Sequence, residues 1–255
     1  MPRTVKVAKR ANRENPRIDR SNPRQERNLH ILPPPHADRI KRVQPIPRSL
    51  AQENYLEALT DDSKYIVIAT GPAGTGKSLL ATQSAIKMLQ EGSIEHIVIT
   101  RPAVGVDEEE HGYLPGTIIE KLAPWVQPII DIFKEHYSLL AITKLIETGV
   151  IEFVPIAFVR GRTFKNTVVI FDEAQNSLPT AMKVVLTRIG EGTRIFVTGD
   201  MEQHDRGHMR NGLRDFIDRL KDASTSHIAH CEFSKNDIER HPCVVEVLNL
   251  YDEGD

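Results

Sequence analysis

Six short apolar runs lie along the chain after residue 64, separated by turn residues and by segments with helical spacing. The runs cover residues 65–70, 94–100, 151–155, 167–172, 194–198 and 227–233. Short and nearly continuous apolar runs are typical of strands that a parallel sheet buries on both faces. The pattern therefore predicts an α/β fold with a mainly parallel sheet.

Apolar residues at helical spacing predict helices between these strands. One helix follows the first strand and ends at Gly92, and Ser234 begins a final helical region. The other predicted helices cover residues 49–59, with Ser49 as N-cap, and residues 139–148, 180–189 and 212–220. Serine is a favoured N-cap because its hydroxyl accepts a hydrogen bond from the first turn.

A glycine-rich turn joins the first strand to the helix that follows it. Glycines allow a tight bend, so that successive N–H groups converge on phosphate oxygens at the positive end of the helix. Lys77 is expected to reach the β- and γ-phosphates, and the Ser78 hydroxyl to ligate Mg²⁺. The predicted nucleotide-binding residues are Gly71, Pro72, Ala73, Gly74, Thr75, Gly76, Lys77, Ser78 and Leu79.

Two acids lie at the carboxyl end of the fourth apolar run, in the sequence VVIFDEAQ. We expect Asp172 to hold Mg²⁺ directly or through water, and Glu173 to orient and deprotonate the attacking water. Gln203 follows the next apolar run, where a polar side chain is suited to contact the γ-phosphate or that water. These residues predict hydrolysis in addition to nucleotide binding.

Gln52 lies nineteen residues before Gly71, on the first predicted helix. A glutamine amide has both a donor and an acceptor, which match those of adenine. The spacing alone fits an adenine-reading residue and an exposed helix glutamine equally well.

Four arginines are candidates for contacts with anions or other subunits. Arg101 directly follows the second strand, where ligands of parallel sheets gather. Arg160 and Arg162 flank Gly161 and could approach a phosphate backbone. Arg188 lies near the end of the predicted helix 180–189, where the helix dipole alone favours a cation.

The charge is strongly asymmetric although the whole chain carries only −2. Residues 1–48 contain thirteen Lys and Arg and four Asp and Glu, a net charge of +9, with half of the sixteen prolines and no aromatic residue. Such a segment cannot bury enough apolar surface to fold. We predict a disordered basic arm over residues 1–48, which is either a nucleic-acid contact or a solubilising or targeting tail. One ATPase domain follows over residues 49–255, with an insertion at roughly 103–164.

The sequence contains no apolar run of eighteen residues and no hydrophobic signal core in its first thirty residues. Cys231 and Cys243 are its two cysteines, without a Cys-x-x-Cys pair. We therefore expect a reduced, cytoplasmic protein that does not interact with membranes.

Eight motifs occur in a fixed order: GPAGTGKS, TRPAV, GYLPG, RGRT, VIFDEAQN, LTRIG, VTGDMEQ and DIERHP. With these motifs, which cover roughly residues 47–250, the sequence resembles the PhoH family of ATPases. The resemblance implies a three-layer, RecA-like P-loop NTPase related to superfamily 1 helicases, with ATP and Mg²⁺ as ligands and a role on RNA. The basic arm has no obvious counterpart in that family.

The resemblance also implies roles for single residues. Gln52 looks like the adenine-reading glutamine, and Gln203 lies in VTGDMEQ, which looks like the third helicase motif. Arg240, in DIERHP, looks like an arginine positioned for the γ-phosphate, within the chain or across a subunit boundary.

A two-lobed helicase supplies its arginine finger from a second RecA-like lobe, and this chain has room for one lobe. We therefore predict a homo-oligomer, a hexameric ring, with the finger supplied in trans by Arg240 or, as the second candidate, by Arg188.

Other functions use the same loop. A nucleotide-gated RNA-binding switch would need ATP but no motor activity, whereas Glu173 favours hydrolysis. A small-molecule phosphotransferase is disfavoured by the acid pair and by TGD followed by Gln203, and a GTPase by the lack of an Asn-Lys-x-Asp motif in the sequence.

Overall fold

A six-stranded parallel sheet organises the residues that the computed structural model describes, which are 41–102, 126–203, 211–239 and Cys243. Arg240, most of the predicted basic arm and the first part of the predicted insertion lie outside these residues. The strands are β1 Ile66–Thr70, β2 His96–Thr100, β3 Ile151–Phe153, β4 Thr167–Phe171, β5 Arg194–Gly199 and β6 Ile228–Glu232. Five of the predicted runs contain a whole strand, β5 extends one residue beyond its run, and the predicted α/β class is confirmed.

The strand order is β3-β2-β4-β5-β1-β6, and all five pairings are parallel. The carboxyl ends of all strands therefore lie at one edge of the sheet, where ligands of open α/β sheets bind. Strand β5 lies between β1 and β4, so the glycine-rich turn after β1 and the acid pair after β4 flank the end of β5.

Helices cover both faces of the sheet. The helices are α1 Leu50–Thr60, α2 Lys77–Gln90, α3 Gln127–Lys134, α4 Leu139–Glu147, α5 Ile156–Val159, α6 Pro179–Leu186 and α7 Gly212–Lys221, with 3-10 turns at Ala174–Asn176 and Lys235–Asp237. Alternate strand residues enter two separate cores: Val67 and Ala69 pack with residues of α1 to α4, whereas Ile66 and Ile68 pack with residues of α5, α6 and α7. The domain thus has three layers.

The helix starts follow the predicted caps. The Ser49 hydroxyl accepts a hydrogen bond from the Gln52 N–H at 3.3 Å. Ser234 begins the last 3-10 turn in a reciprocal capping box with Asp237. These local bonds satisfy N–H groups that have no partner inside the helix.

Helix α6 is shorter than predicted, because it ends at Leu186 rather than at residue 189. The residues beyond it join another segment: the Phe164 N–H donates to the Arg188 carbonyl at 3.0 Å, and Ile189 forms a parallel bridge with Phe164. A Cβ on Gly190 would lie 2.2 Å from the Phe164 carbonyl oxygen, so this crossing requires glycine.

The folded core also begins earlier than the predicted domain boundary at residue 49. Val43 is buried in the core on the α1 to α4 side of the sheet, and its N–H donates to Gln90 Oε1 at 3.0 Å. The Lys41 N–H donates to the His136 carbonyl at 3.2 Å. Ile40, Val43 and Ile46 are separated by basic, polar and proline residues, so the sequence predicts no helix or strand here.

Arg194 is a buried cation that joins β5 to the end of α1. Its guanidinium donates to the carbonyl oxygens of Leu59 at 2.7 Å, Asp61 and Lys64 at 2.9 Å, and Ala58 at 3.1 Å. Burial lowers the pKa of Arg194, and nearby carboxylates oppose that shift. The bonds to Ala58 and Leu59 satisfy carbonyl groups that the end of α1 leaves without helical partners.

We predict that Arg194→Ala lowers the free energy of unfolding by about 3 kcal/mol, because it leaves one buried and three partly buried carbonyl groups without their charged donor. Urea denaturation measures this loss. Arg219→Ala removes an exposed arginine paired with Asp215 and should change stability by less than about 0.5 kcal/mol. Equal losses in the two variants would contradict this account of Arg194.

Candidate active site

Three glycines of the turn after β1, Gly71, Gly74 and Gly76, have a positive φ. Gly71 has φ 133°, and a Cβ there would lie 2.2 Å from the Phe233 carbonyl oxygen. Gly76, with φ 82°, is the N-cap of α2 and provides no side-chain bond to its first turn. N–H groups at a helix start without a side-chain acceptor form an anion site that the helix dipole strengthens.

Lys77 is buried, and its ammonium group is held by the turn itself. Nζ donates to the carbonyl oxygens of Gly71 and Pro72, both at 2.7 Å, and to Thr75 Oγ1 at 3.2 Å. Burial lowers the pKa of Lys77, whereas the carboxylates of Asp200, Glu173 and Asp172 raise it. The lysine therefore lies between the turn and a group of acids, where a bound phosphate would exchange with the carbonyl oxygens.

Asp172 lies at the centre of a set of oxygen atoms. Its Oδ1 accepts hydrogen bonds from Ser78 Oγ at 2.6 Å and from Thr198 Oγ1 at 2.5 Å. The register of β4 and β5 brings Thr198 here, and the start of α2 brings Ser78. A hydroxyl and a carboxylate at hydrogen-bond distance are hard oxygen donors, which fit Mg²⁺ bound together with substrate phosphates and water.

Glu173 has an unusual backbone, with φ 52° and ψ 40°. Such a left-handed conformation is uncommon outside glycine, asparagine and aspartate, and it costs roughly 1–2 kcal/mol. Its carboxylate has protein partners on both oxygens: Gln175 Nε2 donates to Oε2 at 2.6 Å, and Arg101 Nη2 lies 3.2 Å from Oε1. Glu173 is thus fixed at the mouth of the site.

Sequence reasoning missed Gln175, which lies inside VIFDEAQN but received no role. Its Oε1 accepts a hydrogen bond from the Asp200 N–H at 3.1 Å, and its Nε2 holds Glu173. A Cβ on Gly199 would lie 2.7 Å from this Oε1, which explains the glycine in TGD. The signal was the position of a buried amide two residues after the acid pair.

The glycine-rich turn and the acid pair line a cavity of about 270 Å³. Gln203 is exposed and lines it, a position that fits a residue in contact with the γ-phosphate or the water. Lys77, Asp172 and Glu173 line the same cavity, as do Ala73, Gly74, Gly76, Ser78, Leu79, Gly199 and Asp200. The sensor role of Gln203 stays a prediction.

Gln52 is buried and lies beneath the turn rather than in the lining of this cavity. Its Nε2 donates to the Thr75 carbonyl at 3.1 Å, and its Oε1 accepts from the Arg48 N–H at 2.8 Å. The alternative of an exposed helix glutamine is therefore wrong. Adenine reading stays a prediction, and it requires the amide to exchange these two partners.

The remaining arginines occupy different environments. Arg162 donates two bonds to the Glu152 carboxylate, at 2.9 and 3.1 Å, and its guanidinium lies 4.7 Å from the centre of the Phe164 ring. Arg160 is exposed after α5. Arg188 bonds to the carbonyl oxygens of Val184 and Arg162, at 3.0 and 3.2 Å.

Arg240 lies outside the described residues, but the chain reaches the nucleotide turn one residue before it. The Glu239 N–H donates to the Gly74 carbonyl at 3.0 Å. The roles of Arg240 at the γ-phosphate and across a subunit boundary stay predictions.

A glycine-rich turn, a buried lysine and an acid pair at the carboxyl edge of a parallel sheet define a P-loop NTPase domain. A comparison with family models agrees, since the model described as PhoH-like protein matches residues 45–252. The chain belongs to the PhoH-like family.

Curated relatives support the same assignment. The chain is 42% identical over 206 residues to a PhoH-like protein of Mycobacterium tuberculosis, covering 80% of this chain and 57% of that protein. It is 38% identical over 208 residues to a PhoH-like protein of Bacillus subtilis (81% and 63%) and to protein PhoH of Escherichia coli (80% and 57%). The chain thus spans less than two thirds of the length of these relatives.

Two solved structures are more distantly similar. The Pif1 helicase of Candida albicans aligns with a TM-score of 0.38 at 16% identity, over 81% of this chain and 44% of that one. The Sulfolobus solfataricus SWI2/SNF2 ATPase core in complex with double-stranded DNA aligns with a TM-score of 0.43 at 13% identity, over 78% and 48%. Within the described part of the chain, no helix has the length and apolar character needed to cross a membrane.

Proposed function

We propose that this protein is a Mg²⁺-dependent, helicase-like ATPase of the cytoplasm that couples hydrolysis to binding or remodelling RNA or another single-stranded nucleic acid. The observation that carries the proposal is the convergence of Lys77, Ser78, Asp172 and Glu173 on one cavity at the carboxyl edge of the sheet. A protein that only binds ATP does not require an acid at the position of Glu173.

Each residue has a distinct task in this proposal. Lys77 exchanges the carbonyl oxygens of the turn for oxygens of the β- and γ-phosphates, and Gln52 reads adenine. Ser78 and Asp172 would hold Mg²⁺, which would supply positive charge beside the phosphates. Glu173 accepts the proton of the attacking water, and Gln203 contacts that water or the γ-phosphate.

Two features support nucleic acid as the partner. Residues 1–48 carry a net charge of +9, and phosphate backbones are bound largely through such charges. Arg101 directly follows β2 at the carboxyl edge of the sheet, whereas Arg160 and Arg162 lie on the segment between α5 and β4. Phosphate release titrated with single-stranded RNA, single-stranded DNA or neither tests the coupling. Binding of ATP without turnover in all three conditions would favour the nucleotide-gated switch.

The assembly in this proposal is a homo-oligomer, a hexameric ring, with Arg240 completing the site of a neighbour. One lobe provides one face of a nucleotide site, and an arginine finger commonly completes the other. Light scattering with ATP and Mg²⁺ measures the assembly. A strict monomer with full ATPase activity would contradict the ring.

We predict that deleting residues 1–40 leaves hydrolysis without nucleic acid within about twofold and flattens the salt dependence of RNA binding, by roughly 0.7 log units per log unit of salt for each phosphate that the arm neutralises. The deletion ends at residue 40 because Val43 is buried. A full-length variant with the ten Lys and Arg of residues 1–40 changed to Gln separates charge from length. Unchanged affinity and slope in both variants would show that the arm does not contact RNA.

A further inference from the structure

Arg101 and Glu173 form an ion pair across the ends of two neighbouring strands. Thr100 of β2 pairs with Phe171 of β4, and the Asp172 N–H donates to the Thr100 carbonyl at 3.0 Å. This register carries Arg101 next to the acid pair, with Nη2 3.2 Å from Glu173 Oε1. The ion pair is therefore set by the sheet and not by a flexible loop.

Each oxygen of the Glu173 carboxylate contacts a protein donor, Oε1 through Arg101 and Oε2 through Gln175. Gln175 Nε2 donates a hydrogen bond to Glu173 Oε2 at 2.6 Å. Gln175 is itself buried, and its Oε1 accepts a hydrogen bond from the Asp200 N–H. Both oxygens of the proposed general base thus contact the protein. A general base needs an oxygen within hydrogen-bond distance of the proton that it accepts, so the attacking water has to compete with these protein donors for the lone pairs of Glu173.

The two ends of this arrangement differ in exposure. Gln175 is 2% exposed, whereas the Arg101 side chain is 24% and the Glu173 side chain 36% exposed. A ligand from solvent can therefore reach Arg101 but not Gln175. Arginine suits a phosphate because its planar guanidinium matches phosphate oxygens in a bidentate geometry.

We propose that Arg101 is a positioning residue that holds Glu173 away from the attacking water, and that a backbone phosphate of single-stranded nucleic acid competes for its guanidinium and releases Glu173. Gln175 keeps its bond to Oε2, so the released carboxylate stays at the cavity. Nucleic acid then stimulates hydrolysis by freeing a group that is already in place. This inference rests on the proposed ATPase function.

The exchange is energetically accessible. Partly exposed ion pairs add little net stability, since solvent screens them. Such a pair shifts the equilibrium between paired and released Glu173 by about fivefold at most. The expected stimulation through Arg101 is therefore roughly fivefold, and removing the guanidinium should produce a similar increase without nucleic acid.

The test measures kcat and the KM for ATP of wild type, Arg101→Ala and Arg101→Lys, each without nucleic acid, with single-stranded RNA and with single-stranded DNA. Arg101→Ala should raise the basal kcat roughly fivefold, leave the KM for ATP within about twofold and lose further stimulation. Arg101→Lys keeps the charge and should restore part of the stimulation. Stimulation by RNA, by DNA or by both identifies which backbone competes for Arg101.

Arg219→Ala is the matched control, because it removes another arginine that is paired with a carboxylate but lies on α7. It should behave like wild type. Wild-type protein that hydrolyses ATP while Arg101→Ala has a basal kcat at or below that of wild type would overturn this inference alone, as would stimulation retained by Arg101→Ala. Wild-type protein that releases no phosphate under any condition would overturn the proposed function.

Discussion

Glu173→Gln is expected to bind ATP with nearly wild-type affinity and to hydrolyse it at least about 10²-fold more slowly. The amide keeps the size of the carboxylate and an oxygen that can accept a bond from Gln175 or Arg101, so the loop should keep its conformation. It cannot accept the proton of water. Binding of a fluorescent ATP analogue and phosphate release measure the two effects separately.

Glu147→Gln provides the control for this change, because Glu147 is exposed at the end of α4 and does not line the cavity. It should hydrolyse ATP at the wild-type rate. Full turnover by Glu173→Gln would show that another group is the base. A large loss of ATP affinity would instead assign Glu173 to binding.

Lys77→Ala is expected to abolish measurable turnover and to bind ATP at least roughly tenfold more weakly. The variant lacks the only ammonium group that the described residues bring to the cavity, where it would contact the β- and γ-phosphates. The variant also lacks the three hydrogen bonds that Nζ donates inside the turn, to Gly71, Pro72 and Thr75. Its melting temperature must therefore be measured alongside its affinity for ATP.

Lys87→Ala is a matched change on the same helix, since Lys87 is partly exposed and its Nζ lies 3.9 Å from Glu91 Oε1. It should keep ATP affinity and turnover within about twofold, as is usual for a surface pair. If folded Lys77→Ala bound and hydrolysed ATP like Lys87→Ala, the turn after β1 would not be the phosphate site.

The sequence predicts the strands well because parallel strands buried on both faces read as continuous apolar runs. Strands β1 and β4, buried at every residue, show this directly. It predicts the phosphate turn because only a few residue types allow that backbone. Periodicity fails where one residue makes a tertiary contact, as at Val43, or where a helix end joins a distant segment, as at Ile189.

Contacts between neighbouring strands cannot be read from a linear pattern. The sequence places Arg101 after one strand and Glu173 after another, but their pairing depends on β2 lying beside β4 in a particular register. The role of Gln175 likewise depends on the turn that brings it to Glu173 and Asp200. For Gln52, spacing placed it near the nucleotide turn, and packing decided which atoms it contacts.

We propose that the site formed by Lys77, Asp172 and Glu173 hydrolyses ATP. Steady-state phosphate release by the purified full chain, with ATP and Mg²⁺ and with or without single-stranded RNA, tests it most directly. We expect turnover that EDTA abolishes and that Glu173→Gln reduces by at least about 10²-fold. Wild-type protein that binds ATP and Mg²⁺ but releases no phosphate, with or without RNA, would contradict it.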